Sequence, residues 1–231
     1  MSRKTLGVLE CGRPPQEIID NHGDYAQQFV NLVGDEFDYR VYAVLEGEFP
    51  QDISECDGYL ITGSKHGVYS GEPWITPLMA LIRDIYAADI PQFGICFGHQ
   101  VMAHALGGRA EKFDGGWGMG PTNYTRDDGS TITINAFHED QVVAVPADKF
   151  DRVTASTPFC QYAGIAYKGK AASIQPHPEF SAEMQKDLMV LRKPMDIDPA
   201  VYDSAMKAVE VGQSALDSEV LAQEIRDLMN A

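Results

Sequence analysis

The run Ile90-Pro91-Gln92-Phe93-Gly94-Ile95-Cys96-Phe97-Gly98-His99-Gln100 passes from a short extended stretch into a helical one, with a single thiol at the junction. Glycines two residues either side of Cys96 allow a turn too tight for side chains. A strand, a strained turn and a helix in this order make a nucleophile elbow, which presents the sulfur at the helix N-terminus. The helix dipole and the backbone N–H groups there favour a thiolate. Cys96 is therefore the candidate nucleophile, and the elbow predicts a fold in which strands feed helices.

The chain upstream agrees. Residues 6–10 read as a strand, 11–15 as a loop, and Tyr25, Phe29 and Leu32 as the apolar face of a helix. Residues 39–45 and 57–62 read as a second and third strand, and 74–88 as a helix with Leu78, Leu81, Ile82 and Ile85 on one side. The elbow strand comes fourth. Strands alternating with helices predict an α/β fold with a mostly parallel central sheet, helices on both faces and reactive groups at the strands' carboxyl ends.

Gly107-Gly108 should stop the elbow helix. The pattern then changes to short β-like runs at 122–126, 131–137, 141–145, 165–167 and 171–175, with Tyr167-Lys168-Gly169-Lys170 as a hairpin turn between the last two. From Ser181 the chain reads as helical. Met184, Leu188 and Leu191 form one stripe, Asp198-Pro199 caps and starts a second helix, and Leu221, Ile225 and Leu228 mark a third. The simplest division is one domain over residues 1–231, with 181–231 a helical extension packed on it.

A second motif gives the thiol its chemistry. In Ser173-Ile174-Gln175-Pro176-His177-Pro178-Glu179-Phe180 the two prolines keep the backbone extended, and i, i+2 neighbours of an extended chain share a face. His177 then serves as base and Glu179 as its orienter, completing a Cys96-His177-Glu179 triad assembled in space. Cys11, Cys56 and Cys160 have no such setting and read as free thiols in core or loop.

Gly94-Ile95-Cys96-Phe97-Gly98-His99-Gln100 followed by Pro176-His177-Pro178-Glu179 resembles the triad-type, class I glutamine amidotransferases, glutaminase domains like those of GMP synthetase, anthranilate synthase and carbamoyl phosphate synthetase. The likeness spans about residues 5–181 in motif order. It implies a flavodoxin-like fold, Gly63 N–H and Phe97 N–H as oxyanion donors, and Gln100 in contact with bound glutamine. It also implies that His138 and the loop from Gly115 to Gly120 line the glutamine pocket. The loop Thr62-Gly63-Ser64-Lys65-His66 departs from the family's common Gly-Gly-Pro. The DJ-1/PfpI-like fold also carries a Cys elbow but commonly has His directly after the Cys, where Phe97 stands here.

The rest of the composition excludes more than it assigns. A formal charge of −16, from 18 basic and 34 acidic residues, disfavours nucleic acid and anionic membranes as partners. No apolar run is long enough for a membrane span, and the charged start is no signal peptide, so the expected compartment is the cytoplasm. Neither metal nor cofactor is expected. His138-Glu139-Asp140 would alternate faces on a strand, and the glycine-rich stretches lack phosphate-loop context.

The resulting expectation is hydrolysis of the γ-glutamyl amide of glutamine through a thioester on Cys96. The ammonia goes to a separate synthase subunit, or the enzyme acts alone. The alternative is a γ-glutamyl peptidase or hydrolase acting on γ-glutamyl peptides. A non-catalytic binding or regulatory module would be free to lose any triad member, and none is lost.

Overall fold

A computed structural model describes residues 3–192, 197–210 and 216–231. Eleven strands alternate at first with helices: β1 (Thr5–Leu9), α1 (Gln16–His22), α2 (Tyr25–Val33), β2 (Asp38–Tyr42), β3 (Gly58–Ile61), α3 (Ile75–Ala87), β4 (Gln92–Ile95) and α4 (Phe97–Ala105). A β-rich stretch follows, with β5 (Arg109–Lys112), β6 (Gly118–Arg126), β7 (Thr131–His138), β8 (Asp140–Ala144), β9 (Phe150–Ser156), β10 (Gly164–Tyr167) and β11 (Ala171–Ile174). The chain closes with α5 (Ala182–Arg192), α6 (Pro199–Glu210) and α7 (Ser218–Asn230).

The nine-stranded sheet runs β2-β1-β3-β4-β11-β10-β9-β6-β7, and β5 pairs separately with β8. The five strands from β2 to β11 are parallel; the remaining pairings in this sheet are antiparallel. This is the expected α/β architecture, with the parallel half feeding the elbow.

Period-2 alternation explains the two layers of core. Leu6 and Val8 of β1, Leu60 of β3 and Phe93 and Ile95 of β4 face one side, where they meet Phe29 and Val33 of α2 and Leu221, Ile225 and Met229 of α7. Leu9, Tyr59 and Ile61 face the other side, against Leu78, Ile82 and Ile85 of α3 and Val101 and Met102 of α4. Burial of both faces accounts for the near-continuous apolar strands, because a parallel sheet leaves neither side to water. In the helical extension, Met184 and Leu188 of α5 pack on Phe180, and Tyr202, Ala205 and Val209 of α6 pack near Met119 of β6.

Several boundaries differ from the sequence expectation. The strand expected over 39–45 ends at Tyr42, and Val44–Glu46 forms a 3₁₀ turn. The reason is a local pair of hydrogen bonds, Glu10 N–H to the Tyr42 carbonyl and Leu45 N–H to the Glu10 carbonyl, which fold the chain back over the end of β1. Strands β5 and β9 lie where no strand was expected. The stripe on α5 runs through Met184, Gln185, Leu188 and Met189, whereas Leu191 is exposed. The hairpin turn before β11 forms as expected, with Tyr167 opposite Ala171 and Gly169 at φ 83°. The Asp198 carboxylate caps α6 by accepting from Ala200 N–H at 2.7 Å.

Candidate active site

Cys96 stands between β4 and α4 with φ 55° and ψ −106°, one of two non-glycine residues at positive φ among those described. Such a conformation costs on the order of 1–3 kcal/mol and persists only where the surroundings enforce it. They do so here through the flanking glycines. A Cβ on Gly98 would lie 2.2 Å from the Ile61 carbonyl oxygen, and one on Gly94 would lie 2.5 Å from the Gly98 backbone. The Cys96 N–H donates to the Ile174 carbonyl at 2.9 Å, tying the elbow to the end of β11.

Three residues beyond Ile174 comes His177. Its N–H donates to the Asn135 carbonyl of β7 at 2.8 Å, and Asn135 Nδ2 donates to the Phe180 carbonyl at 3.0 Å, so β7 holds this segment from the far side. The extended stretch expected to carry both His177 and Glu179 ends at His177, and Pro178-Glu179 form a turn. That turn, closed by Phe180 N–H on the His177 carbonyl, still brings Glu179 Oε1 to 2.7 Å from His177 Nδ1. The His177 ring stacks on Phe180 with centroids 4.0 Å apart and planes 8° apart, which fixes its orientation. Glu179 Oε2 is buried with no hydrogen-bond partner among the described residues, so Oε1 and its bond to His177 are the carboxylate's main contact.

Electrostatics follow from this packing. Burial alone would push the His177 imidazole down, but the adjacent Cys96 sulfur and the Glu179 carboxylate outweigh it and lift the imidazole to about 10. His177 thus carries its proton at neutral pH beside the sulfur.

The other expected positions converge on the same place. Gly63 follows β3, and a Cβ there would lie 3.3 Å from His177 Cε1 and 3.8 Å from Cys96 Cβ. Its peptide is held by Thr62, whose hydroxyl donates to the Gly63 carbonyl and accepts from Cys11 N–H. Phe97 opens α4, so its N–H has no acceptor within the helix, while its side chain is buried against Trp74. Gln100 lies one turn along, and its Nε2 donates to the Asp140 carbonyl at 2.9 Å and to Gln175 Oε1 at 3.2 Å. His138 Nδ1 pairs with the Asp140 carbonyl at 3.2 Å; burial first, and then the neighbouring His177 charge, push its imidazole down to about 4.

Cys96, His177, Gly63, Gln100 and His138 line one cavity of about 270 Å³. Its walls also contain residues that the sequence alone did not bring forward. On the polar side Tyr69 Oη donates to Asp140 Oδ1 at 2.9 Å, and Lys112 pairs with Glu139 at 3.0 Å. The lining also includes Tyr25, stacked on Phe180 at 6.0 Å, and Arg192. Tyr25 was expected in the core as part of a helical stripe. Trp117, against Phe137, comes from the glycine-rich loop flagged in the sequence.

His99 is a structural residue: buried, bonded to Ser173 Oγ at 2.8 Å, and pushed down to about 3 by burial. Among the described residues no three His, Cys, Asp or Glu side chains converge as metal ligands. A thiol and a proton-bearing imidazole held by a carboxylate are parts needed for acyl transfer through sulfur.

Known proteins resemble this chain in sequence and in fold. The family described as glutamine amidotransferase class-I matches residues 17–195. A glutamine amidotransferase-like protein of Schizosaccharomyces pombe is 30% identical over 95% of this chain and 96% of its own length. Gamma-glutamyl peptidase 4 of Arabidopsis thaliana is 28% identical, covering 82% of this chain and 81% of its own. A subunit of the glutamine-hydrolysing GMP synthase of Methanopyrus kandleri is 29% identical over 70% of this chain and 87% of its own. Among solved structures, a glutamine amidotransferase of Thermotoga maritima superposes with a TM-score of 0.74 at 19% identity, each chain covered in full, which speaks for the fold. With the elbow, the fold and a family match across most of its length, this chain belongs to the class I glutamine amidotransferases.

Proposed function

We propose that this chain hydrolyses γ-glutamyl amides through a thioester on Cys96. The observation that carries this is the Cys96 sulfur beside a proton-bearing His177 anchored to Glu179 at 2.7 Å. Cys96 and His177 share one proton, which rests on the imidazole as the sulfur attacks the γ-carbonyl carbon. The Gly63 and Phe97 N–H groups receive the developing oxyanion. On collapse the C–N bond breaks, His177 gives its proton to the leaving nitrogen, and the thioester remains. Water then attacks, His177 takes its proton, the C–S bond breaks and glutamate departs, restoring the starting pair. Glu179 holds Nδ1 and so keeps Nε2 toward the sulfur and the leaving group. Gln100 and His138 serve the substrate side, His138 as a neutral imidazole.

The leaving group separates two activities. Since His177 delivers the proton, the leaving amine lies beside it, in a cavity of about 270 Å³ that Tyr25 and Arg192 also line. We therefore favour a γ-glutamyl hydrolase that cleaves amines larger than ammonia, in keeping with the γ-glutamyl peptidases among its relatives. The second reading, a glutaminase passing ammonia to a synthase subunit, is favoured by its likeness to subunits of glutamine-hydrolysing GMP synthases.

We take residues 1–231 as one working unit, because α7 packs into the same apolar cluster as α2 and β1. Its place is the cytoplasm, where the four buried cysteines stay free thiols. The test is to incubate the pure chain with glutamine and with a panel of γ-glutamyl dipeptides, following glutamate release. Dipeptides cleaved with higher kcat/KM than glutamine support the hydrolase reading. Glutamine as the better substrate makes the chain a glutaminase.

A further inference from the structure

We infer that Thr62 is a positioning residue for the reaction proposed above: its buried hydroxyl fixes the peptide groups around Gly63, and with them the direction of the Gly63 N–H. The inference rests on the hydrolase reading, in which that N–H receives the oxyanion. Gly63 sits against both reacting groups, since a Cβ there would lie 3.3 Å from His177 Cε1 and 3.8 Å from Cys96 Cβ. Having no side chain, it cannot anchor itself, and an N–H stabilises an oxyanion only when it is aimed in advance.

Three hydrogen bonds made by Thr62 supply the anchor. Its N–H donates to the Leu9 carbonyl at 3.2 Å, which holds the peptide before it. Its Oγ1 accepts from Cys11 N–H at 2.9 Å and donates to the Gly63 carbonyl at 3.2 Å, which holds the peptide after Gly63. The direction of this chain is fixed: the Cys11 amide can only donate, so the one hydroxyl proton goes to Gly63. The peptide that carries the Gly63 N–H lies between the two held ones and follows them. Thr62 is fully buried behind the cavity wall and acts through Gly63.

A close approach completes the hold from beneath. A Cβ on Gly12 would lie 2.9 Å from Ser64 Cα and 3.0 Å from the Gly63 carbonyl oxygen, so the Gly63-Ser64 peptide is seated on Gly12. The turn through Cys11 and Gly12 is itself spanned by a buried carboxylate, Glu10, whose Oε2 accepts from Arg13 Nε at 3.0 Å and lies 2.9 Å from Arg13 Nη2. The carboxyl ends of β1 and β3 thus form one platform under the glycine.

The experiment measures steady-state hydrolysis of glutamine and of γ-glutamyl-phenylalanine at neutral pH for the wild type, Thr62→Val, Thr62→Ser and Gly12→Ala. In parallel, the rate at which iodoacetamide alkylates Cys96 is followed by mass spectrometry of the peptide carrying Gly94 to Gln100. That reaction forms a C–S bond and expels iodide without developing an oxyanion, so it reports on the thiol and not on Gly63. Thr62→Val should lower kcat by about tenfold to a hundredfold, less than the loss of a whole oxyanion donor. KM should stay within about threefold. Thr62→Ser, which keeps the hydroxyl, should recover most of kcat. Alkylation should stay within about twofold of wild type throughout. Gly12 is not among the residues at positive φ, so Gly12→Ala tests the contact alone. It should lower kcat in the same way with the hydroxyl present, and it decides the matter if Thr62→Val does not fold. An unchanged kcat in Thr62→Val or in Gly12→Ala overturns the inference, as does a Thr62→Ser protein as slow as Thr62→Val, or alkylation that slows in step with turnover. A wild type that hydrolyses neither substrate overturns the hydrolase reading and this inference with it; with an active wild type, the preceding results overturn the inference alone.

Discussion

At the scale of single residues, the decisive balance is at His177, where burial acts against the neighbouring Cys96 sulfur and Glu179 carboxylate and the neighbours win. A proton held up to about pH 10 is available for the leaving nitrogen across the neutral range. Turnover should therefore fall as pH rises through about 10. In Glu179→Gln, which removes the carboxylate that helps raise the imidazole, this alkaline limb should move to lower pH. His177→Ala should lower kcat by about a thousandfold or more, while Glu179→Gln keeps measurable turnover above that floor. Rate profiles of the two variants against pH check both statements, and an unmoved limb in Glu179→Gln would contradict the role given to the carboxylate. Cys96, His177 and Glu179 were legible in the sequence because their signals are local: glycines two residues either side of a thiol, and a His and a Glu between prolines. Tyr25, Tyr69 and Arg192 were not, because each belongs to an element whose own pattern says nothing of the cavity. Trp117, inside a glycine-rich loop, and Asp140, two residues after His138, carried a usable signal.

At the scale of elements, the elbow depends on how closely α4 can approach β3. Gly98→Ala would place a methyl 2.2 Å from the Ile61 carbonyl oxygen, where only backbone movement can make room. Overpacking of this kind costs about 1–3 kcal/mol, or a few degrees of Tm for a chain of this size. It should also displace the Phe97 N–H and lower kcat more than it raises KM. Thermal melts together with steady-state kinetics measure both, and a Gly98→Ala protein with unchanged Tm and kcat would refute the close approach. The parallel strands and α3 were readable because burial on both faces makes strands uniformly apolar and helices strongly one-sided. Strand β5 reads Arg109-Ala110-Glu111-Lys112, too charged to resemble a strand, and β9 is half-exposed along its length, so neither shows alternation. The second strand was read too long because Val44 is buried by the returning chain and not by the sheet.

For the whole molecule, three buried histidines set the pH range of stability. His99 and His138 are pushed down, to about 3 and about 4, so below their ordinary value of 6.5 the unfolded chain binds protons that the folded one refuses, and stability falls as pH drops from 6.5 toward 4. His177 is raised to about 10; its contribution is complete below 6.5 and is lost as pH climbs through 10. Stability should therefore peak near neutrality, and in His138→Gln the acid-side decline should be shallower. Urea midpoints from about pH 4 to about pH 10 check this, with an unchanged acid slope in the variant counting against a neutral buried His138. The central claim is covalent, and it is best tested on the intact chain. After mixing with glutamine or γ-glutamyl-phenylalanine and quenching in acid, mass spectrometry should find a glutamyl adduct on the peptide carrying Gly94 to Gln100, absent in Cys96→Ala. Substrate consumed with no adduct on that peptide, or an adduct on Cys11, Cys56 or Cys160 instead, would contradict a thioester at the elbow.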